Sequence, residues 1–273
     1  MSHIEIIKVY LKKLTGEKME DSQGKKEHIL VTIGKQRFEN PEENSVHLVD
    51  DAQSNAFLND IVNFPHAYVL ACGMDRQIKA ERAWMIPIHI KRIIGSFAID
   101  KLGSISNDEY VDIFTENSLH RYNTIMATAF YSAVQKIINE YDGDASRIWT
   151  GNPSSASVVY RFLQFEGYGT KIATMAVNIL ARQFKVPFSD YYSIDISPDV
   201  HILRVLRRSG LVKIDASRES IIYKARELNP EFPGIIDFSC WEIGRKWCRP
   251  RNPNCAECMI SEECKKNIMP YKV

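Results

Sequence analysis

No stretch of the 273-residue chain approaches the roughly 18 to 20 consecutive apolar residues of a membrane span, so a bilayer-crossing helix is not expected. A secretory leader is not expected either, because Ile4, Ile6 and Ile7 are followed at once by Lys8, Lys12 and Lys13. There is no internal repeat and no low-complexity tract, which excludes a solenoid. A net charge of +1 carries no global mark of a nucleic-acid partner. His66, His89, His120 and His201 share no ligand spacing and read as structural. What remains is a soluble, cytoplasmic globular chain in a reducing compartment, without a membrane partner and expected as a monomer. Its apolar fraction of 45% can fill one large core or two lobes around a cleft.

The charge is unevenly spread. Residues 1–160 hold 17 Lys and Arg against 21 Asp and Glu, whereas residues 161–273 hold 18 against 13. The basic second part is suited to phosphates, although such an asymmetry also arises by chance.

Helical periodicity dominates from about Ser54, with breaks at Asn63-Phe64-Pro65, Gly95, Gly103, Gly143, Gly151-Asn152-Pro153, Pro187, Pro198 and Pro233. The fold class is therefore mainly all-α, with eight to ten short helices. Ser154, Asp199 and Asp215 are expected as N-caps of runs ending near Phe165, Ser209 and Leu228. Residues 1–53 form an N-terminal extension. Within it, His28 to Phe38 is expected as a short strand pair and Gly16 to Lys26 as a loop. Residues 54–247 form the helical core.

Four of the six cysteines, Cys248, Cys255, Cys258 and Cys264, fall within 17 residues, separated by six, two and five. Thiolates so close converge only when something tightly bound offsets their mutual repulsion, which points to a metal centre in the 248–264 loop. Zinc suits a Cys₄ set but usually takes two short pairs, and a [4Fe–4S] cluster tolerates uneven spacing, so the residues alone leave both open. Cys72 and Cys240 stand apart in apolar settings and read as buried small hydrophobes.

The segment from Val158 to Ala173 reads as helix, tight turn, helix. Gly167 and Gly169 flank Tyr168 in a turn whose unobstructed amides, with those of Thr170 at the next helix start, can face an anion such as a DNA phosphate. A plain helix cap followed by a new helix is the structural alternative. Lys171 lies in the first turn of that second helix, where the macrodipole disfavours a cation, and a neutral amine there is a nucleophile able to form a Schiff base. Asp199 stands at a later helix start, where a cap is its simplest role.

Taken together, Gly167-Tyr168-Gly169-Thr170-Lys171, Asp199 with His201 twenty-eight and thirty residues beyond Lys171, and the C-x₆-C-x₂-C-x₅-C loop resemble endonuclease III and the helix-hairpin-helix DNA glycosylases. The resemblance covers residues 155–265 strongly and the helical run from Phe64 to Tyr141 loosely. It implies a two-lobed helical fold, a [4Fe–4S] cluster on the four cysteines and double-stranded DNA bearing a damaged or modified base as partner. It also implies base-excision repair, with Lys171 attacking the sugar and Asp199 supporting base loss. On that reading the enzyme is a DNA glycosylase with AP lyase activity. Were Lys171 not nucleophilic, it would be a monofunctional glycosylase using Asp199 and water, or a non-catalytic damage-binding protein. A zinc-stapled helical protein unrelated to DNA is the reading outside the family.

The sequence also departs from the family. Phe165-Glu166 replaces an aliphatic-proline pair, Tyr168 replaces a small aliphatic residue and acts as a wedge or a packing change, and Val200 replaces a small polar residue. Asp195 is a second candidate carboxylate. Gln77 lies near where relatives carry a residue that fills the gap left by a flipped base. Arg204, with Arg207 and Arg208, is a candidate phosphate contact, as are Arg245, Lys246, Arg249 and Arg251 around the first cysteine. Trp241 and Trp247 are expected to pack the cysteine loop against the core.

Overall fold

The computed structural model describes residues 28–40 and 48–268, so the loop expected over Gly16 to Lys26 lies outside the described residues. Within them are twelve α-helices and two short 3₁₀ turns, and no strand. Two more helices appear than the periodicity predicts, because short pieces such as α5 (Ile99–Gly103) show too little of a period to be read.

The expected strand pair is instead helix α1 (Ile29–Glu39). The His28 ring nitrogen Nδ1 accepts from the Leu30 amide at 3.2 Å, and Leu30, Val31 and Gly34 are buried. Gly34 lies so close to the 3₁₀ turn Pro233–Ile236 that a Cβ would sit 2.3 Å from the Ile235 carbonyl oxygen. Burial of one face against that turn overrides the β preference of the valine, threonine and isoleucines.

Asp51 caps α2 (Ala52–Asn59) through the Ser54 amide at 2.7 Å. Pro65 opens α3 (Pro65–Met74), where its missing N–H costs nothing, and every residue of that helix is buried. The helices α4 (Ala80–Ile94), α5, α6 (Asn107–Glu116), α7 (Asn123–Tyr141), α8 (Ser155–Leu163) and α9 (Thr170–Arg182) follow. Helix α3 packs against α4, α7 and α9 and is the axis of this group. Its Tyr68 hydroxyl donates to the Ala176 carbonyl of α9 at 2.6 Å. Each large α3 side chain contributes roughly 1.5–3 kcal/mol by burial, so truncating Leu70 should weaken the whole group.

The second group comprises α10 (Val200–Ser209), α11 (Arg218–Leu228) and α12 (Asp237–Lys246), with α1 laid over α12 and the 233–236 turn. Ser154 and Asp199 cap α8 and α10 as the sequence predicts. The start expected at Asp215 falls at Ser217, whose hydroxyl accepts from the Ser220 amide at 3.2 Å. Between the two groups opens a cavity walled by residues 75–81, α9, the start of α10 and α12.

Candidate active site and cysteine loop

The hairpin begins where α8 ends. Gly167 adopts φ +81°, a left-handed conformation that glycine takes without strain, and a Cβ there would meet the Arg76 guanidinium at 2.8 Å. Tyr168 turns inward rather than toward a ligand. It is buried, its hydroxyl donates to the Val69 carbonyl at 2.7 Å, and its ring fills the space over Gly73. Its amide is also engaged, donating to the Phe165 carbonyl at 3.1 Å. Of the two roles open to Tyr168 this is packing, and the DNA contact expected of its side chain is corrected accordingly.

Gly167, Gly169 and Thr170 are exposed. Gly169 is the N-cap of α9 and no side chain caps that helix, so the amides of Gly169, Thr170 and Lys171 have no intrahelical acceptor and form an electropositive end open to an anion.

Within that first turn, the Lys171 side chain reaches the cavity, where Nζ donates to Asp75 Oδ2 at 2.6 Å. Lys171 keeps 39% of its side-chain surface exposed, against 12% for Asp75. Asp199 lies on the opposite wall. Its Oδ1 accepts from the His201 and Ile202 amides at 2.8 Å each, which fixes the carboxylate at the mouth of α10. Asp237, first residue of α12, completes an acidic arc, with Oδ2 accepting from the Ser197 amide at 2.5 Å. Burial, helped by the Asp199 charge, pushes its carboxyl up to about 7 against the Ser197 hydrogen bond. The cavity has a volume of about 540 Å³, and Trp84, Phe238 and Trp241 give it aromatic surfaces.

Asp75 and Asp237 escaped the sequence reading, since a lone acid with no spacing partner carries no signal. Asp195 forms a bidentate pair with Arg226, at 2.7 Å on both oxygens, and does not line the cavity. Gln77 stands at the cavity rim, exposed, on a left-handed turn with φ +57°, and its Oε1 accepts from Tyr122 at 2.9 Å.

Arg204 is corrected from a phosphate contact to a tie. Its guanidinium donates to the carbonyls of Cys248, Gly244 and Val200 and touches His201 Nδ1 at 2.9 Å, which engages four of its five donors. Arg208 likewise donates to the Arg249 and Pro250 carbonyls and reaches Cys248 Sγ at 3.7 Å. These arginines lash the cysteine loop to α10.

The four cysteines line one hollow with Val205, Ile243, Trp247 and Ile260. Trp247 thus packs as expected, whereas Trp241 belongs to the large cavity and stacks on Phe238 at 5.8 Å. The half-buried thiols of Cys258 and Cys264 are pushed up by burial and by the neighbouring cysteines, so they share one electrostatic environment. Among the described residues no three His, Cys, Asp or Glu side chains converge as a single metal ion requires. Four thiol donors around one apolar hollow are a donor set that either a zinc ion or an iron–sulfur cluster accepts. Cys72 and Cys240 are buried in the core. Among the described residues no helix is long and apolar enough to cross a membrane.

No family model matches the chain. Endonuclease III of Thermotoga maritima is 25% identical over 164 residues, which is 60% of this chain and 66% of that protein, just under two thirds of its length. Among solved structures, an endonuclease III trapped as a covalent intermediate with DNA aligns with TM-score 0.56 at 16% identity, over 86% of this chain and 96% of its own. A thermostable thymine-DNA glycosylase aligns with TM-score 0.58 at 12% identity, over 87% and 95%. The chain thus shares the helical fold of these two structures and is similar in sequence to endonuclease III over 164 residues.

Proposed function

We propose that the protein is a base-excision DNA glycosylase that extrudes a damaged or modified base into the 540 Å³ cavity and removes it. The observation that carries this reading is the meeting of Lys171 and Asp199 in one cavity beside the uncapped amides of α9. Those amides hold a backbone phosphate, which anchors the strand without reading its sequence. Extrusion is required because the glycosidic carbon is out of reach inside a duplex.

Chemistry at the sugar follows from the wall residues. Lys171 passes a proton to Asp75, 2.6 Å away, and its free electron pair attacks C1′ while the glycosidic pair leaves with the base, which takes up a proton. Asp199, held by two amides, stabilises the positive charge that develops on the deoxyribose. Ring opening, in which the proton on the attacking nitrogen passes to O4′, then gives a Schiff base to Lys171; transfer of a C2′ proton to water with departure of the 3′ phosphate by β-elimination nicks the strand, which is the AP lyase half of the activity. The ion pair between Lys171 and Asp75 favours one second reading, a monofunctional enzyme in which that pair stays intact and Asp199 assists water attack.

Cys248, Cys255, Cys258 and Cys264 would hold a [4Fe–4S] cluster, and its role here is to hold the loop rather than to react. The test is release of base from duplexes carrying single oxidised, alkylated or deaminated bases, with Asp199→Asn alongside. Release that Asp199→Asn abolishes supports the reading, and no release from any lesion overturns it.

A further inference from the structure

We propose that Arg182 reads the extruded base, donating to an exocyclic carbonyl oxygen while Asp237 accepts from the adjacent ring N–H. Preferred substrates would then carry a lactam edge, as uracil, hypoxanthine and 5-hydroxyuracil do, and not an amino edge. The inference rests on the glycosylase reading above and names its substrate class.

Arg182 is the last residue of α9, only 6% exposed, and it lines the same cavity as Lys171 and Asp199. Among the described residues its guanidinium has no hydrogen-bond acceptor and no ion-pair partner. It lies over the Phe238 ring at 4.3 Å. Its donors open onto the cavity instead of onto a protein acceptor, so a ligand held there can supply one. Burial pulls the guanidinium down to about 10, still charged at neutral pH.

The neighbours do not relieve it. Glu242 is engaged by Arg37 and Lys246. Asp237 acts on Arg182 electrostatically yet forms no ion pair with it, and one of its oxygens is held by Ser197. Donor and acceptor thus line the same cavity without pairing, and a planar C(=O)–N–H edge offers the complementary acceptor and donor. An exocyclic amino group would instead meet Arg182 donor to donor. A phosphate is a poorer occupant, since Asp75, Asp199 and Asp237 all line the cavity.

The test compares wild type, Arg182→Met and Arg182→Lys, each checked for folding by thermal melting. Single-turnover excision is measured on duplexes with uracil, hypoxanthine or 5-hydroxyuracil, and with 3-methyladenine or 5-methylcytosine. Affinity for a tetrahydrofuran abasic analogue, which has no base to read, is measured in parallel. The expected result is excision of lactam-edge bases, reduced about 10- to 100-fold in Arg182→Met and less in Arg182→Lys, with abasic affinity within about twofold. If Arg182→Met does not fold, a selective loss by Arg182→Lys on lactam-edge bases carries the same test. Unchanged excision by the folded variants, or a wild-type preference for amino-edge bases, overturns the inference while leaving the glycosylase reading in place. Absence of any wild-type excision overturns both.

Discussion

Asp199 is at once a helix cap and the proposed charge-stabilising group, and substitution separates the two roles. Its Oδ1 accepts from two amides at 2.8 Å. Asparagine keeps that oxygen and is as good an N-cap, so Asp199→Asn should melt within about 1 °C of wild type. Alanine removes the cap at about 1 kcal/mol, which lowers the melting temperature by roughly 2–4 °C in a chain of this size. Catalysis should not follow that order. Both variants lose the fixed negative charge facing the sugar, and a preorganised electrostatic contact of this kind is worth roughly 10²–10³ in rate, or about 3–4 kcal/mol. Single-turnover excision beside thermal melting reads both quantities. An Asp199→Asn protein that keeps more than about a tenth of the wild-type rate would reduce Asp199 to a cap and refute the reasoning.

Three further outcomes follow from the same walls. Asp75→Asn removes the carboxylate that takes the proton from Lys171 Nζ, 2.6 Å away, and should slow Schiff-base formation about tenfold while leaving abasic-DNA affinity unchanged, measured by rapid-quench trapping and anisotropy. Asp237 titrates near 7 when folded and near 3.8 when unfolded, so the folded chain binds the extra proton between those values and stability falls as pH rises from about 4 to 7. Asp237→Asn, whose side-chain oxygen still accepts from Ser197, should flatten that decline in urea melts taken across the range. Arg204→Met cuts the ties to Cys248 and Gly244 and should speed loss of iron to a chelator severalfold, from a wild-type protein carrying about four iron and four sulfide per chain. A purified protein holding zinc and no iron would contradict the cluster assignment.

Much of this arrangement was legible in the residues. The glycine turn, the lysine at a helix start and the capping aspartate were visible because each breaks a local preference or meets one at a fixed position, and the structure sets Lys171 and Asp199 in one cavity. Side-chain allegiance was not visible. Arg204 and Arg208 look like free cations on a helix, but the neighbouring loop offers them bare carbonyls, and only the fold brings those within reach. Tyr168 looked available beside two glycines, yet Gly73, some ninety residues earlier, leaves the hollow that takes its ring. Asp75, Asp237 and Arg182 come from three separate elements and meet only when α3, α9 and α12 are assembled. The first helix is not legible as one because its partly alternating apolar residues satisfy a strand as well as they fit the 233–236 turn.

The central claim is that Lys171 is the nucleophile. Borohydride reduction of the protein with abasic duplex DNA, followed by peptide mapping of the cross-linked species, tests it most directly. The account predicts one covalent complex with the sugar remnant on the peptide containing Lys171, absent in Lys171→Ala. Trapping that survives Lys171→Ala, or an adduct on another residue, would contradict it.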